Sequence, residues 1–281
     1  MMTGTLITED NAELFMGAVG TNALVNSDVF IGVVDEETDT ACGVLSAEAV
    51  GDRTLAVRWI YVDESRRRKG AGRELINTLQ DMAWEIGAGA IVCSRNKPLG
   101  KDDVTEFFLS CGFVQDEFSP TPVYSYKVSD ISLRDIKKKT AEVVPLDEVS
   151  IKDWAEMENA WKGLDAYDER LLDIIQNREF YDKNLSFAAM DSKGKFSGIL
   201  VTSTDGQNIY LEDVFAGGDD PGLTAYAMFK SLVLRALKAV KDPVISVSYE
   251  NKEMLFLLDK LTGGKGVQTE ENILLSYFMD V

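Results

Sequence analysis

Val62-Asp63-Glu64-Ser65-Arg66-Arg67-Arg68-Lys69-Gly70-Ala71-Gly72-Arg73-Glu74-Leu75 is the stretch whose reading decides the fold. Upstream of it, Thr54 to Val62 is rich in β-branched and aromatic residues and predicts a strand. Downstream, Leu75, Leu79, Met82 and Ala83, with Ile76 and Ile86 beside them, recur at helical spacing until Gly87. A strand that feeds a helix through a glycine turn is a unit of mixed α and β structure. Glycines at 70 and 72 let the backbone approach an anion, and the helix start directs unpaired N–H groups and its positive dipole end at the same place. Arg66, Arg67, Arg68, Lys69 and Arg73 gather cationic charge at a helix N-terminus, where a plain cap disfavours it. A polyphosphate ligand is the natural counter-charge. The spacing matches neither a Gly-x-x-x-x-Gly-Lys-Ser/Thr nucleotide loop nor Gly-x-Gly-x-x-Gly.

Outward from this turn, strands are expected at Val29 to Val34 and Cys42 to Ala49, joined by the polar Asp35-Glu36-Glu37-Thr38-Asp39-Thr40. Ala90 to Ser94 reads as a buried strand, Val104 to Cys111 as a short helix ended by Gly112, and Phe113-Val114 with Val123 to Val128 as two closing strands. The second half repeats this order. Helices at Ile151 to Trp161 and Glu169 to Asn177 precede strands at Leu185 to Met190, Phe196 to Ser203 and Ile209 to Phe215. A long helix Leu223 to Val240, a strand Val244 to Tyr249, a helix Glu253 to Lys260 and a strand Ile273 to Met279 follow. Ser94-Arg95-Asn96-Lys97 before a Phe-rich helix is echoed by Ser248-Tyr249-Glu250-Asn251-Lys252 before Met254-Leu255-Phe256. The expected division is a first domain over 1–130, a linker over 131–146 that holds Lys137-Lys138-Lys139 and Pro145, and a second copy over 147–281.

Composition removes whole classes of chemistry. The 281 residues include no histidine, so histidine-dependent triads, histidine general bases and His-ligated zinc are excluded, and no metal is expected. With 29 Lys+Arg against 47 Asp+Glu the net charge is −18, which argues against nucleic acid and mildly favours a cationic partner such as an amine. Cys42, Cys93 and Cys111 are an odd count with apolar or small neighbours, which predicts reduced thiols and a cytoplasmic location. No secretory leader and no membrane span are expected, and the chain is read as a monomer or homodimer.

Val62 to Gly72 resembles the acetyl-coenzyme A signature of the GNAT N-acetyltransferase family, a strand followed by Arg/Gln-x-x-Gly-x-Gly/Ala, here Arg67-x-x-Gly70-x-Gly72. Asn96 and Phe107-Phe108-Leu109-Ser110-Cys111-Gly112-Phe113 are similar to the family's second motif, Asn followed by Phe-Tyr-x-x-x-Gly-Phe. The likeness spans about residues 25 to 128 and implies two tandem GNAT-like folds, the second degenerate. It implies that the backbone of Arg67, Arg68, Lys69, Gly70, Ala71, Gly72 and Arg73 holds the coenzyme's pyrophosphate. It also implies that Ile60, Tyr61 and Val62, at a strand bulge, line the pantetheine arm, that Asn96 contacts it, and that Phe108 stands where the family often has a tyrosine beside the thioester.

The resemblance implies direct transfer of an acetyl group from acetyl-coenzyme A to an amine, of a small molecule or a peptide. Such transfer needs juxtaposed reactants, an oxyanion donor, a proton acceptor and a proton for the departing thiolate. An N–H near Tyr61 or Val62 is the candidate donor. Phe108 has no proton to give, which leaves Tyr61, Tyr124, Tyr126 or unassisted departure for the thiolate. Glu48, Glu64 or a water relay is the candidate base. In the second half Phe215-Ala216-Gly217-Gly218-Asp219-Asp220-Pro221-Gly222 replaces the cations with carboxylates, so no coenzyme is expected there in that mode. A non-catalytic acyl-coenzyme A sensor is the alternative function.

Overall fold

The computed structural model describes residues 2–17, 27–51, 53–133, 141–150, 154–155 and 181–279. The helices expected at 151–161 and 169–177 lie outside the described residues apart from Trp154 and Ala155, as does the Lys137-Lys138-Lys139 run. Along the chain come β1 (Met2–Leu6), α1 (Ala12–Phe15), β2 (Val29–Asp35), β3 (Thr40–Val50), β4 (Thr54–Val62), α2 (Ala71–Glu85), β5 (Ala90–Pro98), α3 (Asp103–Ser110) and β6 (Val114–Gln115). Then follow β7 (Thr121–Lys127), β8 (Glu142–Pro145), β9 (Phe187–Met190), β10 (Phe196–Asp205), β11 (Asn208–Ala216), α4 (Pro221–Ala239), β12 (Val244–Ser248), α5 (Lys252–Thr262) and β13 (Val267–Phe278).

The chain divides into two compact units, Met1–Thr121 with Glu270–Val281, and Pro122–Thr269. In the first, β1, β2, β3 and β4 pair antiparallel in order, β4 and β5 pair in parallel, and β13 closes the sheet antiparallel to β5. In the second, β8, β9, β10 and β11 pair antiparallel, β11 and β12 in parallel, and β7 closes the sheet antiparallel to β12. The strand at Val123 to Val128, expected to close the first sheet, therefore closes the second, and the strand at Ile273 to Met279 closes the first. The expected linker also holds a strand, since Glu142–Pro145 pairs with Phe187–Met190. Alternation of apolar residues selects a strand and a face but not a partner, so hydropathy alone does not distinguish these two closures.

Each unit buries its own core. α2 lays Leu75, Ile76, Leu79 and Ala83 on Ile31, Val33, Leu45, Ala47, Leu55 and Val57 of the first sheet, with Ile273 and Leu275 of β13 in the same cluster. α4 does the same in the second unit with Met228, Phe229, Leu232 and Val233 against Leu200, Ile209, Leu211 and Ile245.

The repeat extends to single residues. β3 carries an extra residue at Cys42 and β4 one at Arg58; β10 carries one at Ser197 and β11 one at Glu212. The amide of Asp63 donates to the Cys42 carbonyl at 2.9 Å, and that of Gly217 to the Ser197 carbonyl at 2.7 Å. A Cβ on Gly43 would stand 2.6 Å from the Tyr61 carbonyl oxygen, and one on Gly198 2.8 Å from that of Phe215, so both strands need glycine where the backbones close in.

Candidate active site

β4 and β5 are hydrogen-bonded only from Thr54 to Ala56 against Ala90 to Val92, although both strands run on to Val62 and Pro98. Beyond Ala56 they part. The bulge at Arg58 lies where the parting begins and shifts the strand's alternation by one residue, so that Leu55 and Val57 before it and Ile60 and Val62 after it all face the α2 side. Asp63 donates its amide to Cys42 on β3, and the period of two turns the backbone groups of Val62 and Ile60 away from β3. The Val62 carbonyl indeed accepts from Arg67 Nε at 3.1 Å.

The basic turn follows. Asp63 accepts from the Ser65 amide and opens a 3-10 turn over Glu64–Arg66. Arg68 and Gly70 both take positive φ, +62° and +93°, and Gly70 is the residue from which α2 starts. Gly70 has open space around the position of a Cβ, so glycine is needed there for its dihedral; at Gly72 a Cβ would come 3.2 Å from the Phe107 ring, so glycine is needed there for room. The first intrahelical bond of α2 comes from Glu74, whose amide donates to the Gly70 carbonyl at 3.0 Å. The amides of Ala71, Gly72 and Arg73 precede it and lack an intrahelical acceptor.

A cleft of about 490 Å³ opens at this point, lined by Ile60, Val62, Arg67, Arg68, Gly70, Gly72, Arg73, Asp103, Val104 and Phe107. Arg67 reaches Glu64 at 3.6 Å besides the Val62 carbonyl, Arg73 donates to Ser110 Oγ at 3.2 Å, and Arg68 pairs with Asp103 at 2.7 Å. Arg66 points elsewhere, to Asp35 at 2.5 Å. Lys69 is exposed outside the lining, and Ala71 buries its methyl in the core while its amide stays at the helix start. α3 is fixed opposite the turn by Asp102, which accepts from the Thr105 amide at 2.9 Å and from Arg95. Burial raises the Asp102 pKa, but the bonds from Arg95 and Thr105 outweigh it and hold the carboxyl at about 2.

Several expected residues stand elsewhere. Phe108 is not beside the cleft: it is 1% exposed and packs edge-on to Phe107 and Phe113, at centroid distances of 5.4 and 5.1 Å. Its neighbour Phe107 takes the cleft-facing place, because adjacent residues on a helix point about 100° apart and only one ring of the pair can enter the core. Glu48 is ion-paired with Arg58 at 2.6 Å and does not line the cleft. Tyr61 lies opposite Val44 on β3, on the other face of the strand from Ile60 and Val62. Tyr124 and Tyr126 belong to the second unit, where Tyr126 is buried and donates to Asp259 at 2.8 Å. Asn96 accepts from Asn272 of β13 at 3.0 Å. The sequence reading missed Val104, Phe107 and Asp103 as lining residues. The signal for Phe107 is the stripe Val104, Phe107, Phe108, Cys111, whose two halves face different surroundings.

Burial pushes the Cys93 thiol up to about 11 and raises that of Cys111, and all three cysteines are unbridged and buried, so no thiolate nucleophile is poised here. No cluster of metal-ligating side chains occurs among the described residues, nor any helix long and apolar enough to cross a membrane. The second unit closes the equivalent helix start on itself. Pro221 occupies the first turn of α4 without an N–H, and Asp220 Oδ1 accepts from the Leu223 amide at 3.2 Å.

Residues 10–113 match the family model of the acetyltransferase (GNAT) family. No curated protein matches the chain in sequence. Among solved structures, a tandem GNAT protein from the clavulanic acid biosynthesis pathway is similar over 99% of this chain and 98% of its own, at 12% identity and a TM-score of 0.65. A GCN5-related N-acetyltransferase from Sphaerobacter thermophilus is similar over 99% and 95%, at 13% identity and 0.53. The N-myristoyltransferase of Saccharomyces cerevisiae, solved with bound myristoyl-CoA, is similar over 98% and 82%, at 14% identity and 0.55. Residues 10–113 therefore form a domain matching the GNAT family, and the chain as a whole has the fold of the tandem GNAT protein.

Proposed function

We propose that the chain is an N-acetyltransferase that moves an acetyl group from acetyl-coenzyme A to an amine of a small molecule or a peptide, by direct attack in a ternary complex. The observation that carries this reading is a single cleft that joins an open helix start and three arginines to an apolar wall ending on an unpaired strand edge. The amides of Ala71, Gly72 and Arg73 and the guanidinium groups of Arg67 and Arg73 receive the pyrophosphate. Ile60, Val62, Val104 and Phe107 offer apolar surface to the pantetheine arm, and Val62 N–H is the donor for the oxygen that gains charge in the transition state.

The bound thioester supplies the activated acyl group. The acceptor nitrogen forms the C–N bond as the C–S bond breaks. Its proton passes to water, since Glu48 is engaged with Arg58. The sulfur leaves without a side-chain acid, since Phe107 replaces any hydroxyl at the cleft. Cys93, protonated and buried, takes no part. Three buried thiols suit a reducing cytoplasm.

The same lack of a proton donor among the lining residues favours a second reading, an acyl-coenzyme A sensor without turnover. Calorimetry with acetyl-coenzyme A, followed by thiol release across an amine panel, separates the two. Binding with turnover is expected. Binding without turnover on any amine supports the sensor, and no binding by folded protein overturns both.

A further inference from the structure

On the reverse face of the first sheet, opposite the side that α2 covers, two polar side-chain atoms are buried without a partner among the described residues. Ser46 is 0% exposed and its hydroxyl has no hydrogen-bond partner among the described residues; neither has the buried indole N–H of the half-buried Trp59. The two residues stand directly across from each other in the β3–β4 register, so their side chains share a face. Leu45, Ala47 and Ile60, their neighbours in sequence, belong to the core on the other face.

A buried N–H without an acceptor is rare in native proteins, and each one calls for a physical account. The repeat shows that the fold does not require this pair. The equivalent cross-strand pair in the second unit is Val201 and Asp213, one apolar and the other accepting from the Val214 amide at 2.7 Å. The pair is thus particular to the unit that carries the cleft. It is also close to it along the strand: Trp59 follows the bulge residue Arg58 and precedes Ile60, whose side chain lines the cleft from the other face, and from Val57 onward β4 has no pairing with β5.

We infer that Ser46 Oγ and Trp59 Nε1 form a donor pair that receives a carbonyl oxygen of the acyl acceptor, which makes that acceptor an amine bearing a carboxamide or carboxylate. This rests on the acetyltransferase reading and deepens it. Trp59 is a donor only, and the serine hydroxyl turns to donate beside it, so a ligand oxygen satisfies both. Glu48, two residues along β3 on the same face, is occupied by Arg58 at 2.6 Å, so the contact made at this pair is to an oxygen and not to an ammonium group.

The test has two arms. In nuclear magnetic resonance of the whole chain, assigned through Trp59→Phe, the Trp59 indole N–H signal is expected to shift saturably with acetamide or with acetate and not with ethylamine; the more effective of the two oxyligands identifies carboxamide or carboxylate. In kinetics, phenylalaninamide is compared with phenethylamine, which lacks only the carboxamide. Trp59→Phe and Ser46→Ala are expected to lower the preference for phenylalaninamide by about fivefold to thirtyfold, mainly through KM. Affinity for acetyl-coenzyme A and melting temperature should hold, because neither substitution removes a bond of the folded chain. An indole signal indifferent to both oxyligands overturns the proposal even in a protein that binds the coenzyme. So does an unchanged preference, or a fall in melting temperature with no change in preference. Failure to bind acetyl-coenzyme A would instead overturn the acetyltransferase reading.

Discussion

Phe107 and Phe108 are chemically identical and adjacent, yet one faces the cleft and the other the core. Phe108 is enclosed by Phe107 and Phe113, so Phe108→Tyr buries a hydroxyl without a partner. It is expected to cost about 1–3 kcal/mol of stability with no gain in rate, read as a lower melting temperature beside an unaltered or lower kcat. A rise in kcat would return the ring to the cleft. At the turn, Arg67→Ala with Gly70→Asp removes a charge-assisted donor and sets a carboxylate at the helix start. Loss of one such bond costs about 1.5–3 kcal/mol, so affinity for acetyl-coenzyme A should fall more than tenfold, with circular dichroism confirming the fold. Unchanged affinity in the folded double variant would place the coenzyme elsewhere.

Among the elements, the two helices that begin at equivalent places have opposite beginnings. α2 starts from a glycine and leaves its first amides open; α4 starts from Asp220 and Pro221 and closes them. Calorimetry is therefore expected to give one equivalent of acetyl-coenzyme A per chain, and two equal sites would refute this. α3 depends on Asp102, whose folded-state pKa of about 2 lies below the ordinary carboxylate value. A depressed pKa stabilises the fold above the unfolded value near pH 4, and that contribution is lost as pH falls toward 2. Asp102→Asn should cost about 2 kcal/mol in urea unfolding at neutral pH, and the gap from the parent should narrow below about pH 3. A gap that stays constant with pH would show that Asp102 acts only as a neutral cap.

Over the whole molecule, the turn at Arg67 to Gly72, the helix after it and the strands β2 to β7 and β9 to β13 as segments are legible in the sequence, because glycine, charge and period are local signals, whereas the short β1 and β8 are not. The bulge is half legible: Leu55 and Val57, then Ile60 and Val62, show the slip in alternation, but only cross-strand register assigns it to Arg58. The placement of Phe107, the engagement of Glu48 by Arg58 and the burial of the Ser46 hydroxyl and the Trp59 indole nitrogen depend on neighbours distant in sequence. The closing strands are the clearest case, since Val123 to Lys127 and Ile273 to Phe278 carry interchangeable patterns. Because β13 completes the first sheet, residues 1–121 alone should fail to form a stable monomer, and a peptide spanning 267–279 should restore it, as read by circular dichroism and gel filtration. A stable monomer without the peptide would show that β5 tolerates an open edge.

Synthesis on the ribosome gives this closure an order in time. Domains tend to fold as they emerge, N-terminal first. Here the first unit waits with the β5 edge uncovered while the whole second unit is made, because Glu270 to Phe278 leaves the exit tunnel only after it. That late strand also positions Asn96 through Asn272. A stop codon or frameshift ahead of it would thus harm the unit encoded first, the one that holds the cleft, rather than the unit encoded beside it.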